Sequence, residues 1–220
     1  MIAKIKQAFA TDLVKVSFLN AIATLIRMLT GFVSVKVVAV LIGPAGVALV
    51  GQLNNFSTIF LNISAGGINS GITRYTAEYR GSEKKYALFL RTGFWITAVL
   101  SLVCGLVLII GSGYFSKLIL LNIKYKSVFV IFGFTIMLYA LNAFFIAVLN
   151  GFKEFKKYTI INILTSIVGL LFVIVLAYSF GVYGALVSAI CFQSVVFVIN
   201  ELSGFELDIS YETITLEGKK

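Results

Sequence analysis

The 220-residue chain contains no histidine. A histidine general base, His-ligated zinc and a Ser-His-Asp triad are therefore excluded. A single proline argues against a linker-rich or disordered chain. The only two cysteines, Cys104 and Cys191, fall inside apolar runs with no metal-ligand spacing around them, and read as small packing residues. Charged side chains make up 12%, about half the usual share for a soluble domain. There is no Gly-x-x-x-x-Gly-Lys-Ser/Thr loop for nucleotide hydrolysis. None of the nine acids lies in the core of an apolar run, which argues against a carboxylate proton or sodium relay. Nor is there a carboxylate pair for glycoside hydrolysis. The expectation is a chain that is not an enzyme and uses neither cofactor nor metal.

Hydrophobic residues, by contrast, reach 60%. They form six runs, roughly 16–42, 47–72, 88–111, 127–149, 158–178 and 182–200. Each is long enough for a membrane-spanning helix and too long for a β-barrel strand. The first run is no signal peptide, since it is too long and holds Arg27 and Lys36. The predicted fold class is all-α integral membrane, with a six-helix lobe over 1–200. Residues 201–220 carry five of the nine acids and read as an acidic cytoplasmic tail, alternating over Phe205, Leu207, Ile209 and Tyr211 as a short strand would.

The net charge of +9 comes from basic residues in the gaps between runs. Thirteen lysines and arginines lie in the N-terminal arm, the second and fourth gaps and the C-terminal tail. Three, Lys117, Lys124 and Lys126, lie in the gaps of the other side. This asymmetry predicts both termini in the cytoplasm and accounts for the basic balance without nucleic acid. The remaining two cations, Arg27 and Lys36, are inside the first run.

Arg27 lies about 16 Å into its span at the helical rise. An arginine at that depth costs about 2.5–3.5 kcal/mol on the insertion scale. At 100° per residue, Asn20, Thr24, Thr30, Gly31 and Ser34 share its face, and Leu25, Leu29, Phe32, Val33 and Val40 lie opposite. A polar stripe around a cation is expected to face a wet interior and to bind a ligand; the bland alternative is a bundle contact. Lys36 lies on an apolar face near enough to the Gly43 turn to snorkel outward. In the second run Asn55, Asn62 and Asn69 fall on one stripe, and Gly66-Gly67 is placed to bend the helix. Asn20, Thr24 and Ser34 are expected on the same side as Asn55 and Asn62, because each amide in lipid is expensive. Thr135, Tyr139 and Asn142 in the fourth run, and Asn162, Ser166 and Gly169 in the fifth, read as ordinary helix–helix contacts. An arginine in an otherwise uncharged cavity suits an anion such as phosphate or pyrophosphate. The links Gly43-Pro-Ala-Gly46 and Gly181-Val-Tyr-Gly184 are alike, each suited to reversing the chain between antiparallel helices.

Thr24-Leu-Ile-Arg27, Lys36 through Gly43-Pro-Ala-Gly46, Gly66-Gly-Ile-Asn-Ser-Gly-Ile-Thr-Arg74-Tyr, Asn150-Gly-Phe-Lys153 and Gly181-Val-Tyr-Gly184-Ala occur in that order. Over about residues 10–200 this pattern resembles the Wzx-type O-antigen and lipid-linked oligosaccharide flippases of the MATE-like multidrug/oligosaccharidyl-lipid/polysaccharide exporter superfamily. The resemblance covers one N-terminal six-helix lobe of a twelve-helix transporter. It implies flipping of an undecaprenyl-pyrophosphate-linked oligosaccharide across the bacterial inner membrane, by a truncated or half transporter. It also implies membrane lipids, a second lobe or second copy, and polysaccharide polymerase machinery as partners. Arg27 matches a basic position expected to touch the pyrophosphate or an acidic sugar; Lys36 and Arg74 match further basic positions. Two rival readings stay open: a non-transporting scaffold of a glycan-assembly complex, and a small-molecule exporter of the same superfamily.

Overall fold

Long apolar runs with few helix breakers leave the backbone one economical way to satisfy its hydrogen bonds in lipid, the helix. The computed structural model describes residues 2–67, 69–78, 83–151 and 155–202; the tail beyond Leu202 lies outside them. The described residues form helices α1 (Ile2–Ser64), α2 (Asn69–Glu78), α3 (Glu83–Ile110), α4 (Ser112–Leu120), α5 (Lys126–Gly151) and α6 (Phe155–Leu202), with a 3-10 turn at Ile123–Tyr125. No strand occurs among them. Among the described residues four stretches are long and apolar enough to cross a membrane: Asn20–Ser64, Ala87–Ile110, Ile123–Gly151 and Thr159–Phe192.

The first and last of these each contain a glycine outside helical geometry. Gly43 has φ 76° and ψ 176°, and Gly181 has φ 58° and ψ −134°. Positive φ is cheap only without a Cβ. In a straight helix Leu176 and Gly184 would stand about 12 Å apart. Here a Cβ added to Gly184 would collide with the Leu176 carbonyl oxygen, so the chain folds back at Gly181. Around Gly43, Val38 and Val47 pack in one cluster, and Gly31 and Asn54 line one cavity. Each Gly-x-x-Gly link thus closes an α-hairpin. The second expected run is shorter than its hydropathy suggests. Helix α1 stops at Ser64, Gly66 and Gly67 take φ 64° and 61°, and α2 sets off separately.

The two hairpins share the most extensive interface in the molecule. Val38, Ala177 and Ala185 are buried between them, flanked by Ile42, Val47, Val50 and Val173. A larger core joins the second arm of each hairpin to α3 and α5 through Leu53, Leu108, Phe129, Phe132, Ile136, Leu186 and Ile190. Helices α3 and α5 approach closely because a Cβ on Gly105 would meet the Gly133 carbonyl oxygen at 2.5 Å, the small-residue contact that packs helices in lipid. Phe32, Val40, Ile110, Tyr178 and Phe180 remain largely exposed, at 67–83%. Such a broad apolar exterior is the surface a bilayer covers.

Candidate functional site

Between the two hairpins lies a groove of about 460 Å³. One wall is Arg27, Thr30, Gly31, Ser34, Val35 and Val38 with Val47, Val50, Gly51 and Asn54. The other is Asn162, Thr165, Ser166, Gly169, Leu170 and Val173 with Ala185, Ala189 and Phe192. Several positions of the two walls correspond. Arg27 and Thr165 stand equally far before Gly43 and Gly181, as do Gly31 and Gly169, and Val35 and Val173; Gly51 and Ala189 stand equally far after. The likeness of the two turn motifs therefore extends down both arms.

The groove has two chemically different ends. Toward the glycine turns its lining is Val35, Val38, Val47, Val50, Val173 and Ala185, and the buried Val38–Ala177–Ala185 cluster seals it. Farther from the turns polar side chains, Ser34, Asn54, Thr30, Arg27, Thr165, Ser166 and Asn162, join the lining beside Leu170 and Phe192. No acid is among the lining residues. The hydroxyl of Thr30 donates to the Ile26 carbonyl at 2.9 Å, Ser34 to Thr30 at 2.8 Å, Thr165 to Ile161 at 2.7 Å and Ser166 to Asn162 at 2.8 Å. With each proton held by its own helix, what these hydroxyls have left is acceptor lone pairs. The polar end thus pairs one cation with several neutral acceptors. Such a surface accepts an anionic group at Arg27 and hydroxyl or amide donors beside it.

Of the residues singled out from sequence, Arg27 and Ser34 line the groove. Asn20 does not; its Oδ1 accepts from the Thr159 hydroxyl at 3.4 Å, a clasp between α1 and α6. Thr24 is exposed and outside the lining. Asn55 and Asn62 are exposed and outside the groove lining, to which that arm contributes Asn54. The reason is angular: one residue is 100°, and the azimuth of the returning arm is set by the Gly43 turn. Lys36 is exposed outside the groove. Arg74 sits on α2, 6.0 Å from the Tyr75 ring centroid, where Thr73 donates to the Ala147 carbonyl and fixes α2 on α5. Sequence reasoning passed over the opposite wall as packing. Asn162, Thr165 and Ser166 were visible only as polar interruptions of the fifth run, and the repeated Gly-x-x-Gly turn was the signal that pairs them with Arg27. Among the described residues no group of histidine, cysteine or acid side chains is placed to hold a metal.

Paired hairpins, a broad apolar exterior and a groove between the hairpins define a multi-pass membrane protein. A family model described as polysaccharide biosynthesis protein matches residues 13–205, and the chain belongs to that family. Two curated relatives, the lipid III flippases of Escherichia coli (strain K12) and Shigella flexneri, are each 25% identical over 160 residues, covering 73% of this chain and 38% of theirs. The chain thus spans well under half the length of the curated relatives it matches. No solved structure matches it.

Proposed function

We propose that this protein moves a lipid-linked oligosaccharide between the leaflets of a bacterial inner membrane, as one six-crossing half of a transporter whose other half is a second lobe or second copy. The observation carrying this reading is Arg27 at the polar end of a groove lined by neutral acceptors and by no acid. A pyrophosphate-linked glycan combines the two groups such a groove suits, an anion for the guanidinium and many hydroxyl donors for the Ser, Thr and Asn oxygens. The names of the two curated relatives point to the same substrate class. The groove's apolar seal lies at the glycine turns and its polar end lies away from them, so with both termini cytoplasmic the site faces the cytoplasm, where such glycans are loaded. Translocation then requires the Val38–Ala177–Ala185 contact to part, with the hairpins moving about their glycine turns. Which glycan is carried, O-antigen or another, depends on the acceptor wall.

The test is surface-glycan export in a strain lacking its own flippase. Expression of the chain, alone and with a separate second lobe, restores export, and Arg27→Ala lowers it at least about tenfold at equal protein level. Export indifferent to Arg27 would overturn the transport reading. Retention of glycan-assembly enzymes by an Arg27→Ala chain that exports nothing would indicate a scaffold in addition. Restored drug efflux without glycan export would indicate a small-molecule exporter.

A further inference from the structure

A second feature stands apart from the groove, at the end of α3. The apolar stretch of α3, Ala87–Ile110, has 24 residues. At 1.5 Å each it is about 36 Å long, enough to cross a hydrocarbon core of about 30 Å with a tilt. Helix α4 begins two residues later, beyond that core, and the chain enters its next apolar stretch at Ile123. Residues 111–122 therefore lie between the two stretches, at the level of the lipid headgroups, with Lys124 and Lys126 at the start of the second stretch.

This segment is two-faced. Ser112, Ser116 and Leu120 are buried on one side of α4. The Ser116 hydroxyl donates to the Asn122 carbonyl oxygen at 2.5 Å, which fixes the exit from the helix, and Leu121 takes a left-handed φ of 54°. On the other side Tyr114, Leu118, Leu121 and Ile123 are 51–78% exposed. Tyr114 and Leu118 fall within one narrow arc at 100° per residue, and Leu121 follows at the helix end. Lys117 flanks that arc, and Lys124 and Lys126 follow it, all three exposed. No acid occurs anywhere between Glu83 and Glu154, so these three cations have no acidic partner within their own stretch of chain.

The geometry points to α4 and the following turn as an anionic-phospholipid anchor on the non-cytoplasmic face. Tyr114, Leu118, Leu121 and Ile123 sink into the headgroup–acyl boundary while Lys117, Lys124 and Lys126 hold lipid phosphates. Apolar anchors beside unpaired lysines are the two ingredients of interfacial lipid binding, and a lysine stem long enough to reach outward lets both operate together. The occupant is the bilayer's own anionic lipid. The inference rests on the membrane-spanning reading and is independent of what the groove carries.

The full chain is reconstituted in vesicles of phosphatidylcholine, alone or mixed with phosphatidylglycerol. It carries Leu118→Cys with an environment-sensitive fluorophore, in a Cys104→Ala, Cys191→Ala background. The fluorophore is expected to be quenched by shallow doxyl-labelled lipid and shielded from aqueous iodide. Spin-labelled phosphatidylglycerol should associate with the chain in preference to phosphatidylcholine. Each lysine converted to glutamine should weaken that preference by about fivefold at low salt, and high salt should erase it. A Lys117→Arg, Lys124→Arg, Lys126→Arg variant should keep it, which separates loss of charge from misfolding. Iodide quenching without doxyl quenching, or a lipid preference untouched by the three glutamines, overturns the proposal. So does a shift produced by inorganic phosphate alone in pure phosphatidylcholine, which would mark a site for soluble anions. None of these readouts needs transport, so their failure leaves the groove reading standing.

Discussion

A single guanidinium carries the chemistry of the groove. Arg27 lines it with Thr165, Ser166 and Asn162 and without an acid, which in the proposed transport role leaves its charge to the ligand. A hydrogen bond to a charged group is worth about 1.5–3 kcal/mol. Arg27→Ala should therefore lower glycan export by about ten- to a hundredfold at unchanged protein level, as measured by surface-glycan staining against immunoblotted chain. Arg27→Lys should restore part of it, because an ammonium keeps the charge but loses the bidentate fork. Asn20→Ala should behave differently. It breaks the Thr159 clasp and should lower thermal stability in detergent by roughly 1 kcal/mol, with export affected only as far as the folded fraction falls.

At the scale of the helix, glycine decides where the chain turns and how closely helices meet. Gly43 and Gly181 occupy positive φ, which costs a residue with a Cβ about 1–2 kcal/mol. Either alanine substitution should reduce the yield of monodisperse protein on size-exclusion chromatography. Gly184→Ala should be worse, since its Cβ has no room beside the Leu176 carbonyl. Gly105→Ala should loosen the α3–α5 contact by about 1–3 kcal/mol, read as a lowered melting temperature. Gly113→Ala is the contrast. Nothing lies within 4 Å of its Cβ position, and it sits inside α4, so the exchange should be neutral or stabilising by up to about 1 kcal/mol. Helix α2 owes its separate existence to the same residue type: Gly66 and Gly67 end α1, and the Thr73–Ala147 hydrogen bond fixes the new direction.

For the whole molecule the issues are orientation and covering. The proposed topology puts the Ser82 gap in the cytoplasm, and Asn122 and Phe180 outside. A membrane-impermeant thiol reagent applied to intact cells should label Asn122→Cys and Phe180→Cys, both exposed, and should leave Ser82→Cys unlabelled until the cells are opened. The reverse pattern would invert the groove and place its polar end outside. The hairpins cover each other's small and polar faces, yet Asn55 and Asn62 stay exposed on the returning arm of the first hairpin. Amides left in hydrocarbon are costly, so the proposed second lobe or second copy is expected to cover that arm. Cysteines at Asn55 or Asn62 should crosslink between such units, and a stable monomer lacking that crosslink would assign this face to lipid or water.

The class of the protein was legible without a structure. Apolar runs of about twenty residues, a near absence of breakers and a one-sided lysine and arginine count follow from the cost of polar groups in lipid, and that cost acts on each segment separately. The turns at Gly43 and Gly181 were legible for the same local reason, since only glycine takes those dihedral angles without strain. Arg27 stood out because an isolated charge in an apolar run needs no neighbours to be conspicuous. What faces Arg27 was a different kind of question. Asn54 instead of Asn55 enters the groove because the azimuth of a returning helix depends on the ψ of one turn residue. Thr165 and Ser166 become its opposite wall only because the second hairpin docks on the first through Val38, Ala177 and Ala185. Helix α4 is hidden in the sequence because nine residues leave too short a periodic signal to separate from a loop. Helical identity is settled within a few turns of chain, whereas side-chain partnership across a groove is settled by packing between segments more than a hundred residues apart, and only the tertiary structure decides that.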